Sequence, residues 1–178
     1  LQVPGYDPNA TAAEQEFKLA LSAFQAGLTA SVGISAGGFD SHDDNENDQR
    51  EALGNLFRVL ARVIELSEAA GVPTVVLATS DFGRTPHMTG SGTDHHPISS
   101  MLVAVNQPAQ ALNLSLPVHT VIGATTDGDA ASALRAVKID PVTFAPSATG
   151  IVLTPGHVLR ALRRVAGIDQ ATALASFP

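Results

Sequence analysis

Six side chains in three short segments of this chain can do metal chemistry. Asp40 and His42 lie in Gly37-Gly38-Phe39-Asp40-Ser41-His42, and Asp81 lies in Thr79-Ser80-Asp81-Phe82-Gly83-Arg84-Thr85. Asp94, His95 and His96 close Gly90-Ser91-Gly92-Thr93-Asp94-His95-His96. Imidazole nitrogens and carboxylate oxygens together hold one or two divalent ions in hydrolytic sites. There the ion polarises a substrate oxygen or activates water.

Each segment also has a plainer reading. Asp40 and His42 are two residues apart and would project from one face of an extended chain; equally, Asp40 can cap a turn in a solvated loop. A calcium loop starting at Asp40 fails, because its third position is His42 and its sixth is Asn45 rather than glycine. Asp43, Asp44, Glu46 and Asp48 read as solvated charges near a helix start. Asp81 follows an apolar run and would be held by a rigid strand end, or would pair locally with Arg84. The planar fork of Arg84 suits an anionic phosphate or sulfate group, which makes it the candidate catalytic residue. Asp94, His95 and His96 are consecutive and cannot all face one ion, so one or two would coordinate and another would support. His87, between Pro86 and Met88, and the isolated His119 and His157 read as structural or surface residues.

One motif points to other chemistry. Gly33-Ile34-Ser35-Ala36-Gly37 matches the G-x-S-x-G elbow of serine hydrolases, which needs a strand, a sharp turn and an immediate helix. Gly38 to Asp44 is a poor helix start, so Ser35 ranks below the metal ligands.

The elements that must position these segments follow from periodicity. Residues 1–10 read as an extended lead-in. Thr11 and Glu14 form a capping box for a helix with Phe17, Ala20, Leu21, Phe24 and Leu28 on one face, ended by Gly27. Residues 29–35 read as a short buried strand. A helix is expected over roughly 48–70, with Leu53, Leu56, Phe57, Leu60, Val63 and Ile64 as its apolar stripe and Gly71 and Pro73 at its end. Thr74 to Ala78 and Met101 to Val105 read as buried strands, 118–123 as a further short one, and 130–137 as a short helix. The long connection over 80–98 carries two of the three clusters, as functional loops do. Thr154 and Pro155 open a last helix that Gly167 stops. Helices alternating with buried strands predict an α/β fold: a layered α/β/α arrangement with a mostly parallel sheet, its ligands at the carboxyl ends of the strands.

Composition removes other classes. The chain has 178 residues, a net charge of −7 and no cysteine. That length suits a single domain. The charge argues against nucleic acid as a partner. The lack of cysteine excludes disulfides and thiolate metal ligands. No apolar run reaches the length of a membrane span, and no signal peptide is visible.

The three motifs in this order resemble the bacterial domain-of-unknown-function family 1501, within the alkaline phosphatase and sulfatase superfamily. The resemblance extends to the closing Leu153-Thr154-Pro155 helix and to Gly167-Ile168-Asp169. It implies an alkaline-phosphatase-like fold, incomplete here, with residues 1–178 as the carboxyl-terminal portion of a larger domain. It implies a site with up to two metals: Asp40, His42 and a histidine of the 95–96 pair at one, and Asp81 at the other. Zinc, manganese, iron and magnesium all accept parts of that ligand set. The expected activity is hydrolysis of a small anionic phosphate or sulfate ester, by an upstream hydroxyl or a water on the metal, and weak in this portion alone. The protein would be exported, and its missing partner would be the amino-terminal half of its own domain. A non-catalytic exported binding or scaffold domain of the same fold is the alternative, and a serine hydrolase using Ser35 a third reading.

Overall fold

The structure is a computed structural model that describes residues 11–88, 90–111, 120–127 and 134–166. His119, the expected stop at Gly167 and the lead-in over 1–10 lie outside these residues. The chain divides into two compact units, Leu1–Asn113 and Leu114–Pro178.

The first unit is built on two helices, α1 (Ala12–Gln25) and α2 (Asn45–Ala69). The capping box of α1 forms as the sequence predicts. Glu14 N donates to Thr11 Oγ1 at 3.3 Å, and Thr11 N donates to Glu14 Oε2 at 2.6 Å. Glu14 also takes Arg58 Nη1 at 3.0 Å, which ties the start of α1 to the middle of α2. Both helices end on a left-handed glycine, Gly27 at φ 69° and Gly71 at φ 65°. Leu28 N then reaches Ala23 O and Val72 N reaches Ser67 O, each at 2.9 Å. A Cβ at either glycine would strain that conformation.

Phe17, Ala20 and Leu21 of α1 bury against Val63 of α2, with Phe24, Val59, Leu66 and Val76 packed around them. The inward stripe of α2 is rotated from the one the sequence suggests. Ala52 and Val63 are buried, whereas Leu53 and Phe57 lie exposed. Two adjacent rows of this helix are apolar, and contact with α1 selects between them.

Four strands follow: β1 (Val75–Thr79), β2 (Gly83–Arg84), β3 (His95–His96) and β4 (Met101–Val105), with the short helix α3 (Gln107–Gln110) after them. β1 pairs antiparallel with β4, from Val75 opposite Val105 to Thr79 opposite Met101. Asn106, 1% exposed, locks this sheet to α2. Its Nδ2 donates to Ser67 Oγ at 2.9 Å and Val72 O at 2.7 Å, and its Oδ1 accepts from Thr74 N at 2.9 Å and Ala109 N at 3.0 Å. All four hydrogen-bonding directions of the amide are satisfied.

The second unit holds β5 (Thr125–Asp127) paired antiparallel with β6 (Leu134–Ala136), and α4 (Pro155–Val165). Ile139, 1% exposed, bridges to Pro146 and Ile151. The expected α4 forms with Thr154 as its N-cap, and His157 completes the cap through Nδ1, 2.9 Å from Thr154 Oγ1. His157 is therefore a structural residue, as the sequence predicts.

The expected layered α/β/α fold with a parallel sheet is overturned. Among the described residues there are three two-stranded antiparallel sheets and no parallel pair. Two physical reasons account for the difference. Residues 29–35 form no strand and are mostly exposed, so α2 has no strand on its amino side to make a parallel crossover. The connection from β1 to β4 contains no helix and returns to the end of the sheet it left, which dictates antiparallel pairing. Of the expected strand near 118–123, residues 120–123 are irregular and 118–119 lie outside the described residues; the strand that forms is β5, from Thr125. Of the expected helix near 130–137, residues 130–133 lie outside the described residues, and 134–136 are strand β6 instead.

Candidate functional site

The long connection between β1 and β4 organises itself around the ribbon of β2 and β3, in which Gly83 faces His96 and Arg84 faces His95. Side chains directly opposite in an antiparallel pair share a face, and neighbours along a strand alternate. The ribbon therefore separates the two histidines. His95 points with Arg84 toward the Asp40 segment. His96, 6% exposed, turns inward and accepts from Ile98 N through Nδ1 at 3.1 Å. A Cβ on Gly83 would overlap the Ile98 carbonyl, so the inner face of this pair requires glycine.

Asp40, His42 and His95 come together, with their ligand atoms within 4.8 Å of one another. His42 Nε2 and His95 Nε2 each lie 2.9 Å from Asp40 Oδ1. Phe82 stacks on the His95 ring at a centroid distance of 4.0 Å and fixes its plane. Asp94 Oδ1 stands 3.7 Å from His42 Nδ1, at the margin of the cluster. The Asp40 carboxyl is held below the ordinary aspartate range, chiefly by the hydrogen bond from His95. Burial opposes this as the next largest effect, and the charges of His42 and His95 and the bond from Arg84 lower it further. All three side chains remain about half exposed, so an ion and a substrate could reach them.

Asp81 takes a different position. It is exposed at the end of β1, and its Oδ1 accepts from Phe82 N at 3.1 Å. Of the six proposed ligands, the structure gathers Asp40, His42 and His95, sets Asp94 beside His42, and places Asp81 and His96 outside the cluster. Arg84 lies at the heart of the site. Its Nη1 donates to Asp40 Oδ1 at 2.8 Å and its Nε to Thr93 Oγ1 at 2.9 Å, while Nη2 donates to the carbonyls of Ser41 and Thr93.

Sequence reasoning missed the polar frame behind these ligands. Ser41 Oγ donates to Asn45 Oδ1 at 2.7 Å, and Thr93 Oγ1 donates to the same oxygen at 2.9 Å. Gln49 Nε2 donates to Ser41 Oγ and to Phe39 O, both at 2.8 Å. Asn45 and Gln49 stand one turn apart at the start of α2, a spacing visible in the sequence but without meaning until the loop is known to pack there. A Cβ on Gly92 would overlap the backbone of His42, so the two ligand loops meet closely enough to demand glycine there.

The Ser35 elbow has no such support, since residues 31–40 contain neither the strand nor the helix it needs.

The family described as "Protein of unknown function (DUF1501)" matches residues 3–105. The chain belongs to that family. The DUF1501 match takes in all three motifs and ends with β4, so it does not reach the closing helix that the sequence resemblance included. No curated protein and no solved structure matches the chain.

Proposed function

We propose that this protein is a metal-dependent hydrolase of small phosphate or sulfate esters, with Asp40, His42 and His95 holding a divalent ion. The observation that carries this reading is the convergence of one carboxylate and two imidazoles from separate segments. That donor set suits zinc, manganese or iron better than magnesium, which prefers oxygen ligands. It leaves coordination positions open, as catalytic rather than structural sites do. A bound ion would neutralise charge on the ester and polarise its oxygen. Within the chain, Phe82 orients the His95 ring, and Arg84 holds the Asp40 carboxylate. Asp94 Oδ1, 3.7 Å from the second nitrogen of His42, would hydrogen-bond it after a small approach and so set which nitrogen faces the ion. Asp81, exposed at the mouth of the same loop, would join a second ion only after movement of its carboxylate. On the family resemblance we extend the proposal to export from the cytoplasm and to an upstream portion that supplies the nucleophile.

Calorimetric titration of the protein with zinc and manganese tests the reading. Binding of one ion is expected, lost in Asp40→Asn and in His95→Ala. No binding to the parent protein, or equal binding to both variants, would falsify it. Turnover of a panel of phosphate and sulfate esters by the metal-loaded longer protein separates an enzyme from a non-catalytic binding domain of the same family.

A further inference from the structure

We propose that Arg84 is a positioning residue of the metal site and not its anion-binding group, an inference that rests on the metal reading above. The guanidinium makes four donor contacts to protein acceptors, and its side chain is only 16% exposed. Those acceptors belong to two loops: Asp40 Oδ1 and Ser41 O on one, Thr93 Oγ1 and Thr93 O on the other. A planar fork engaged in this way has little donor capacity left for a substrate, but it fixes both loops at once.

The clamp continues into a rigid element. Thr93 Oγ1, having accepted from Arg84, donates to Asn45 Oδ1, and Ser41 Oγ donates to that same oxygen. Gln49 closes the frame from the next turn of α2. Asp40 is thereby referred to α2 through Arg84, Thr93 and Asn45, and His95 is placed by its pairing opposite Arg84 on the ribbon. The Asp40 carboxylate therefore depends on the Arg84 side chain, while His95 is set by the backbone pairing of the same residue.

Electrostatics and positioning predict opposite outcomes when Arg84 is replaced. A guanidinium beside Asp40 repels an incoming cation, so removal of its charge alone would tighten metal binding. Removal of the clamp frees the Asp40 carboxylate and the Thr93 loop, which weakens binding by about 10–100-fold in comparable supporting shells. We expect positioning to win, because the site is half exposed and solvent screens the repulsion.

The test is cobalt(II) and zinc(II) affinity, with the visible spectrum of the cobalt form, for the parent protein, Arg84→Met, Arg84→Lys, Thr93→Val and Arg62→Gln. Arg62 pairs with Glu65 on the solvent face of α2 and controls for lost charge. Weaker binding and an altered cobalt spectrum are expected in both Arg84 variants, with a smaller loss in Thr93→Val and none in Arg62→Gln. Thr93→Val changes no charge, so it carries the test if Arg84→Met does not fold. Equal or tighter binding in folded Arg84→Met, or an unchanged spectrum and affinity in Thr93→Val, overturns the positioning role while leaving the metal site standing. Failure of the parent protein to bind either ion overturns both.

Discussion

Arg84 and His95 face each other across a two-residue antiparallel ribbon, and both reach the same oxygen, Oδ1 of Asp40, at 2.8 Å and 2.9 Å. Eleven positions apart in sequence, they become neighbours because β2 and β3 pair in one register. A slip of one residue would turn His95 inward and put His96 in its place. The register of this short ribbon therefore selects which histidine meets Asp40.

That selection makes the two histidines separable by mutation. His95→Ala removes an exposed side chain, and we expect little change in melting temperature together with loss of metal binding. His96→Ala removes a buried acceptor of Ile98 N and should destabilise by about 1–3 kcal/mol. Thermal melts and metal titrations on the two variants check this, and the reverse pattern would mean that the ribbon pairs in the other register.

Gly92 and Gly54 should respond oppositely to the same change. Gly92→Ala drives a methyl group into the backbone of His42, with an expected loss of about 1–3 kcal/mol and weakened metal binding. Gly54 lies exposed within α2 with nothing near its missing Cβ. There alanine should stabilise by about 0.5–1 kcal/mol through its helix propensity. Urea unfolding of the two single variants measures both signs.

Asn106→Ala tests the polar lock at the end of β4. The substitution leaves Thr74 N and Ala109 N without their side-chain acceptor in a buried place. A loss of about 2–4 kcal/mol is expected. A loss under about 1 kcal/mol, read from denaturant midpoints, would show that water or a backbone shift replaces the amide.

Acid should weaken the first unit partly through Glu14. Its carboxyl is held below the ordinary glutamate range by the backbone N–H of Thr11 first, then by the Thr11 hydroxyl and Arg58, against an opposing effect of burial. A lowered folded value means that the unfolded chain takes up the proton first as pH falls. The contribution of Glu14 is complete above its unfolded value, fades as pH drops below that, and is gone beneath its folded value. Glu14→Gln keeps an oxygen for the Thr11 N–H but loses the charge that this N–H and Arg58 meet, so it should lose about 1 kcal/mol near neutrality and show a flatter decline in acid. Urea midpoints from pH 7 to pH 3 provide the comparison, and parallel declines in the two proteins would sink the assignment.

Local elements were legible wherever the signal is short-range. The Thr11–Glu14 box, the glycine stops at Gly27 and Gly71, and the cap at Thr154 all follow from contacts within a few residues, while the apolar runs of β1 and β4 were legible as strands but not as buried ones, since Leu102 and Val103 lie exposed. The donor types of the candidate site could be read in the same way, and so could the expectation that Asp94, His95 and His96 would not act alike. The strand expected at 29–35 does not form. Its composition suits a buried strand, but a strand exists only where a partner edge is available to pair with it.

The sequence by itself determined where the chemistry could lie: carboxylates and imidazoles in three glycine-containing loops, with helices and apolar runs around them. It also determined the polar and apolar faces of α1, because a 3.6-residue period is written in the order of residues. Tertiary structure alone decided that β1 and β4 run antiparallel, that His95 and not His96 meets Asp40, and that Arg84 joins two loops instead of standing open to an anion. The physical reason is the same in each case. Strand direction, ribbon register and the partner of a guanidinium depend on groups brought together from distant positions, and no local rule of spacing ranks those alternatives.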